Sequence, residues 1–404
     1  MLNVRSVTSN SKYKIFTFVL FITSFCASIL VCELGARLIL NEADYLSPKM
    51  SRDSVLGHKI EMPSIGFDDW GFRNSRVPTS ATIVAVGDSH TYGNTATMND
   101  AWPAVLGRRA SLDVYNLGLG GYGPNQYFHL FKTKAMQLKP KWVICGLYMG
   151  DDFENAFSIT HGLEFWASLR QGQWDVVSPD NWDPGPTVWG ATIRNWLSSH
   201  SMLYRIVFHG PIVAVLKEYI RFKQVAAGSD PYTTSVILDD RNIREAFRPL
   251  GIAESLNQTS GLIREGMRIT FHLLEEMDKE CRKEGCKFLV VIIPTKETVF
   301  ANYIERDPKI HLYQWLHKVI INERQAKSEM IAYLKDHQIT YLDVLPALER
   351  SVEQQLYAQT TRDMHPNRNG YRVIGEAVAE YLFQQISAGD TNGSSTPDSL
   401  VTVQ

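Results

Sequence analysis

Little in this sequence points to disulfide, metal or nucleic-acid chemistry. Cysteine is scarce, with five in 404 residues, too few and too scattered for a disulfide scaffold. Cys26 and Cys32 lie in an apolar segment and Cys145 in a run that reads as a strand. Cys281 and Cys286 are close enough in sequence to bridge, yet a free buried thiol is the better expectation for each of the five. There is no C-x-x-C pair and no H-E-x-x-H motif, so no zinc, other metal or cofactor is expected. Neither sign of charge dominates: Lys and Arg total 41 and Asp and Glu 43, for a net charge of −2. No basic run stands out either, which leaves no electrostatic footprint for nucleic acid. Long uncharged apolar runs are missing too, with one exception near the N-terminus.

That exception is Ile15 to Cys32, which carries no charged residue. At the helical rise it spans about 27 Å, close to the hydrocarbon thickness of a bilayer. Arg5, Lys12 and Lys14 precede it without an acidic residue, so the positive-inside rule keeps the N-terminus cytoplasmic. A cleaved signal peptide would have a shorter apolar core and a small-x-small site after it, and none follows. The bulky Val31 before Cys32 argues against a lipoprotein cysteine. The expectation is an uncleaved signal anchor over 15–36, with Glu33 and Arg37 paired at i,i+4 where the helix emerges.

The rest of the chain is organised around Ala81-Thr-Ile-Val-Ala-Val-Gly-Asp-Ser-His90. Ile83 to Val86 is apolar and β-branched, too short for a helix, and reads as a buried parallel strand. Gly87 lets the backbone turn sharply, which leaves Ser89 at the strand's carboxyl end, where open α/β sheets hold their ligands. Asp88 and Ser89 could equally serve as helix caps. A helix over 100–110 follows, then a strand over 112–117 that ends in Gly118-Leu-Gly-Gly-Tyr-Gly123. A helix over 125–138 leads to a third strand, 141–148, closing on Met149-Gly-Asp-Asp152. After an irregular stretch come a helix over 262–284, a strand over 287–293, a helix over 323–337 and a fifth strand over 339–343. A last helix is expected over 370–386, and an unstructured Gly/Ser/Thr-rich tail from Gly389. Strands that end in polar Gly-rich turns, with helices between them, make a doubly wound α/β sheet.

The irregular stretch, 157–262, holds Trp166, Trp174, Trp182, Trp189 and Trp196 and an apolar run from Met202 to Phe222. It reads either as a lid over the sheet's carboxyl edge or as a helical subdomain with the tryptophans in its core. Residues 37–80 are rich in turn formers, and Gly66-Phe-Asp-Asp-Trp-Gly-Phe-Arg73 reads as a compact loop packed on the domain.

A hydroxyl nucleophile needs a base within hydrogen-bond reach, and that base needs an orienting carboxylate. Ser89, His365 and Asp363 supply the three residue types, with Asp363 two positions before His365 on one loop. The amides of Ser89 and Gly121 could donate to a developing oxyanion. Strand-end Gly-Asp-Ser, a Gly-rich second turn and a late Asp-x-His together outweigh the surface-loop reading of the last.

Gly87-Asp88-Ser89, Asn116-x-Gly118-x-x-Gly121, Gly150-Asp151-Asp152 and Asp363-x-His365-Pro366-Asn367 resemble, in this order, the four blocks of the SGNH (GDSL-type) hydrolases. Glu33-x-x-x-Arg37, Gly71-Phe-Arg73, Pro294-Thr-Lys-Glu297 and Gly370-Tyr371 resemble a membrane-anchored bacterial branch related to exopolysaccharide O-acyl esterases and acetyltransferases. The resemblance implies a flavodoxin-like five-stranded parallel sheet, in two parts at 81–156 and 263–388. It also implies metal-free ester chemistry, with Ser89 as nucleophile, His365 as base, Asp363 as its orienter, and Asp88 and Asp152 behind them. The catalytic domain would lie in the periplasm on a single inner-membrane anchor, with an acyl ester, by the same resemblance acetyl on a polysaccharide, as substrate. Acyl transfer by the same triad and a degenerate glycan-binding scaffold are the alternatives. One residue departs from the pattern: the family's oxyanion asparagine falls on Asp151, and an ionised carboxylate cannot donate. Either Asp151 is protonated, or Asn155 stands in, or two donors suffice, or ester cleavage is weak.

Overall fold

The computed structural model describes residues 5–172, 174, 189–209, 234–238, 243–308, 310, 312–357 and 363–391. The apolar run lies in a helix, Arg5–Ile39, whose most apolar window is nowhere buried against the chain. Two short strands, β1 (Met50–Asp53) and β2 (Gly57–Ile60), pair antiparallel in the segment that follows. The central sheet begins with β3 (Ile83–Gly87), β4 (Val114–Asn116) and β5 (Trp142–Tyr148). A second antiparallel pair, β6 (Thr234–Leu238) and β7 (Ile243–Phe247), interrupts it before β8 (Lys287–Ile293) and β9 (Tyr341–Asp343) complete it.

Every pairing in the central sheet is parallel, in the order β4-β3-β5-β8-β9. This is the flavodoxin-like order that the resemblance implies for the doubly wound sheet. Strand residues alternate between two cores, as the period of two requires. Val84, Val86, Val143, Cys145, Val290 and Ile292 face one core, with the helices Pro124–Thr133 and Gly261–Glu284. Ile83, Ala85, Ile144, Leu289, Val291 and Ile293 face the other, with Trp102–Ala110 and Arg368–Thr391. Both faces being covered, these strands are continuous apolar runs, which is why they were legible. The chain passes from β3 to β4 on one side of it and then crosses back over β3 to β5 on the other. The crevice at the carboxyl end of β3 is therefore the switch point where such sheets bind ligands.

Several boundaries differ from expectation. The helix placed over 323–337 starts at Tyr313, because Leu316, Val319 and Ile320 continue its buried stripe a full ten residues earlier. The last helix runs to Thr391, past the Gly389 where a tail was expected; residues 392–404 lie outside the described residues. Trp182 and the 210–222 part of the apolar run also lie outside them. The stretch 157–262 is not purely helical, since it contains the β6–β7 hairpin. That hairpin is pinned to the sheet's carboxyl edge by a buried ion pair, Glu245 to Lys296 Nζ at 2.5 Å, with Lys296 also donating to the Ala246 carbonyl. All five cysteines are free.

The loop ending in Arg73 docks on the segment that carries Ser89. Arg73 is buried and donates to the carbonyls of Ala43, Gly93 and Ala96 and to the Asp44 carboxylate at 2.6 Å. Asp68 gathers the Trp70 and Phe72 amides, the Asn74 amide group and the Tyr115 hydroxyl. Removing one partner of a buried, hydrogen-bonded charge leaves the others unpaired, so Arg73→Ala is expected to cost about 3 kcal/mol. Urea unfolding measures this; a loss below about 1 kcal/mol would mean that the clamp holds little.

Candidate active site

Gly87 ends β3 against the next turn, and a Cβ there would lie 2.0 Å from Thr91 Oγ1, so no side chain fits. The chain then turns through Asp88 into a short helix, Ser89–Tyr92. Asp88 is the cap: its Oδ1 accepts the His90 amide at 2.8 Å. Its Oδ2 accepts His90 Nδ1–H at 3.0 Å and lies 3.4 Å from Ser89 Oγ. Ser89 does not cap; it points across the crevice.

Facing it, the loop before the last helix carries Asp363 and His365. His365 Nε2 is 2.8 Å from Ser89 Oγ, and His365 Nδ1 is 2.5 Å from Asp363 Oδ1. Asp363 Oδ1 also accepts the His365 amide at 2.9 Å, which fixes the loop's curvature. Burial opposes the charge of Asp363, but the hydrogen bond to His365 outweighs it and holds the carboxyl below its usual range. With Nδ1–H donated to Asp363, Nε2 is left bare to accept the hydroxyl proton of Ser89. This arrangement can pass a proton from hydroxyl to imidazole when the oxygen attacks an electrophile.

A second imidazole stands behind the first. His90 is buried, stacks on Tyr148 at 3.7 Å between centroids, and lies 4.7 Å from the His365 ring. Burial pushes His90 down to the neutral form. Burial also works against the Asp88 anion, yet the hydrogen bonds from His90 hold its carboxyl below the usual range.

The Gly-rich turn lies beside Ser89: a Cβ on Gly120 would sit 3.7 Å from Ser89 Cβ. Gly121 has φ +76°, a conformation that favours glycine, and a Cβ there would come 3.2 Å from the His58 ring. His58 Nε2 bonds the Gly120 carbonyl at 2.9 Å and so orients this turn. Asn116 braces it from below, donating to the Thr91 carbonyl and accepting the Gly118 amide, both at 2.8 Å.

Asp151 and Asp152 open the helix Asp152–Gly162 at the end of β5. The carboxylates of Asp88, Asp151 and Asp152 lie within 4.8 Å of one another. Asp152 is buried and accepts the Tyr127 hydroxyl at 2.7 Å and the Tyr148 amide at 2.9 Å. Burial and its two acidic neighbours push its carboxyl well above the usual range. Asp151 is pushed up to about 7, by burial first and then by the charges of Asp88 and Glu154, against the opposing pull of His365. Its Oδ1 is buried without a hydrogen-bond partner. Asn155 lies one turn further on, with its backbone and Cβ against Gly123. The trio offers no good metal cage, since both oxygens of Asp88 and of Asp152 are already engaged by protein donors.

From Gly150 to Met364 an open cleft of about 530 Å³ adjoins Asp151, with Arg248, Ile252, Trp315 and Glu154 among its walls. Residues at the site that the sequence reading passed over are His58, His90, Tyr148 and these cleft residues. His90 was adjacent to the serine, but its stacking partner is distant in sequence; Arg248 and Ile252 come from the irregular stretch, Trp315 from a helix that starts earlier than expected, and Glu154 from the helix Asp152–Gly162.

No family model matches the chain, and no curated protein matches it significantly. Among solved structures, a G-D-S-L family protein from Desulfitobacterium hafniense aligns over 75% of this chain and 99% of its own, at 14% identity and a TM-score of 0.36. An acetylxylan esterase from Geobacillus stearothermophilus aligns over 75% and 94%, at 9% identity and a TM-score of 0.37. A GDSL-like lipase from Bacteroides thetaiotaomicron aligns over 75% and 88%, at 8% identity and a TM-score of 0.33. Identity and score are too low for these likenesses to carry function, which has to come from the geometry.

Proposed function

We propose that this chain is a serine ester hydrolase of the SGNH type, held at a membrane by the helix Arg5–Ile39. The observation that supports it is the unbroken line Ser89 Oγ, His365 Nε2, His365 Nδ1, Asp363 Oδ1 at a switch point. In this reading Ser89 attacks the acyl carbon while its proton passes to His365 Nε2, and Asp363 stabilises the imidazolium. The oxyanion is met by the amides of Ser89 and Gly121 and by the protonated carboxyl of Asp151. His365 then protonates the departing alkoxide, and water releases the acyl group by the reverse path. An acceptor hydroxyl in place of water would make the same intermediate serve acyl transfer. The substrate we propose is a short acyl ester on a cell-surface or secreted polysaccharide. The cleft supports it: Trp315 offers an aromatic face, and Arg248 and Glu154 offer polar groups, the kinds of surface that hold sugar rings.

A fluorophosphonate probe on the full chain in detergent is the first test, with the adduct located by peptide mass spectrometry. The adduct is expected on Ser89, and hydrolysis of short nitrophenyl esters should disappear with it. A folded protein that takes up no probe, or takes it up elsewhere, would leave a binding scaffold as the better account.

A further inference from the structure

Among the described residues, the helices Trp189–His200 and Met202–His209 are tied to the far end of the anchor helix and to the segment just after it, where the Ser47 amide donates to the Ser198 carbonyl at 3.0 Å and Arg205 donates to the Tyr45 carbonyl at 2.6 Å. Glu33 caps the second of them: its carboxylate accepts the amides of Met202 and Leu203, at 3.0 and 2.9 Å, and the hydroxyl of Ser201. Arg37 holds Glu33 at 2.9 Å and reaches the His200 carbonyl. A carboxylate at a helix N-terminus satisfies free amides and opposes the positive end of the helix dipole. These two helices are therefore fixed at the level of Glu33 and Arg37.

That level can be placed. From Ile15 to Ile39 the anchor is roughly 37 Å long, more than the ~30 Å of a hydrocarbon core. Its apolar surface continues past Glu33, with Leu34, Leu38 and Ile39 all exposed. The last turns thus belong at the headgroup region, where a charged pair such as Glu33 and Arg37 is tolerated.

The attached helices have the chemistry of that region. Ile193, Trp196, Val207 and Phe208 are 49% to 58% exposed. From Trp189 to His209 there are two arginines, Arg194 and Arg205, and no aspartate or glutamate, in a chain where acids outnumber bases overall. Arg205 is half-buried on the Tyr45 carbonyl, but Arg194 is exposed, and exposed aromatic and aliphatic side chains beside an arginine and no acid suit an anionic headgroup layer. We infer that the helices Trp189–His200 and Met202–His209 form an interfacial foot that lies in the anionic headgroup layer of the bilayer the anchor crosses. This rests on the anchor reading above. The foot gives the domain a second membrane contact and limits how far it can tilt on its single helix.

The test uses the full chain in nanodiscs of phosphatidylethanolamine and phosphatidylglycerol. Spin labels are placed by Trp196→Cys, Phe208→Cys, Phe21→Cys and Ile321→Cys, with Cys26→Ser and Cys32→Ser; the other cysteines are buried. Collision with oxygen reports lipid, and collision with a nickel chelate reports water. Labels at 196 and 208 should favour oxygen several-fold over the label at 321, and approach the label at 21. Favouring nickel at 196 and 208 while 21 favours oxygen would overturn the foot and leave the anchor standing. Low collision with both reagents at 196 and 208 would also overturn it, since protein and not lipid would then cover the face. Nickel access at 21 would remove the anchor reading itself. Melting temperatures of the labelled chains confirm that each remains folded.

Discussion

Ser89→Ala is expected to lower ester hydrolysis on the order of 10⁶-fold, since a nucleophile and its base act as one unit. The same change should move the melting temperature little. Ser89 Oγ makes its close contact with His365 Nε2, at 2.8 Å, and a looser one with Asp88 at 3.4 Å, so it packs against nothing that would collapse. Asp363→Asn should cost about 10⁴-fold, because an amide at that place no longer fixes the tautomer that leaves Nε2 bare. Rates with a nitrophenyl ester and thermal melts of the two variants measure both sides of this. Equal rates for Ser89→Ala and the parent chain would take the serine out of the chemistry. A large fall in stability for Ser89→Ala would instead give the hydroxyl a structural role.

Asp151→Asn is expected to raise activity at alkaline pH by about 100-fold relative to the parent, and to leave it nearly unchanged below pH 6, in line with the value of one oxyanion donor. The reasoning follows the carboxyl's proton. Asp151 is pushed up to about 7 by burial and by the charges of Asp88 and Glu154. Below that value it is neutral and can donate toward a forming oxyanion; above it, it is an anion that repels one. The asparagine donates throughout, so the ratio of variant to parent rate should climb between pH 6 and 9. Stability gives an independent reading with a definite sign. The folded-state value lies above the ordinary 3.8, so between the two the native protein holds a proton that the unfolded chain has released. Stability from this group therefore falls as pH rises through that window, and the loss is complete above about 7. Asp151→Asn removes the loss, so its melting temperature should exceed the parent's at pH 8 and approach it near pH 4. A folded variant that is inactive across the whole range would mean that the carboxylate itself is required, in acceptor binding or as a second base.

The sequence by itself determined the sheet and the order of its chemical groups. β8 was legible to the residue, Lys287–Ile293, because a strand buried on both faces is a continuous apolar run broken by polar turns. The uncharged run from Ile15 to Cys32 was legible for the same local reason. Gly-Asp-Ser after the first strand and Asp-x-His before the last helix named the candidate groups that the fold brings together. Only the tertiary structure decided that Ser89 and His365, 276 positions apart, stand 2.8 Å from each other. It alone turned Asp88 toward His90 and set Glu33 as the cap of a helix more than 160 residues away. It also revealed the β6–β7 hairpin, whose buried Glu245 is tolerable only beside Lys296 from the end of β8. Asp151 is the sharpest case. Its identity was plain from the start, but its protonation depends on how much water is excluded and on which carboxylates share its corner. Both are properties of segments brought together by the fold, and no stretch of sequence around residue 151 contains them.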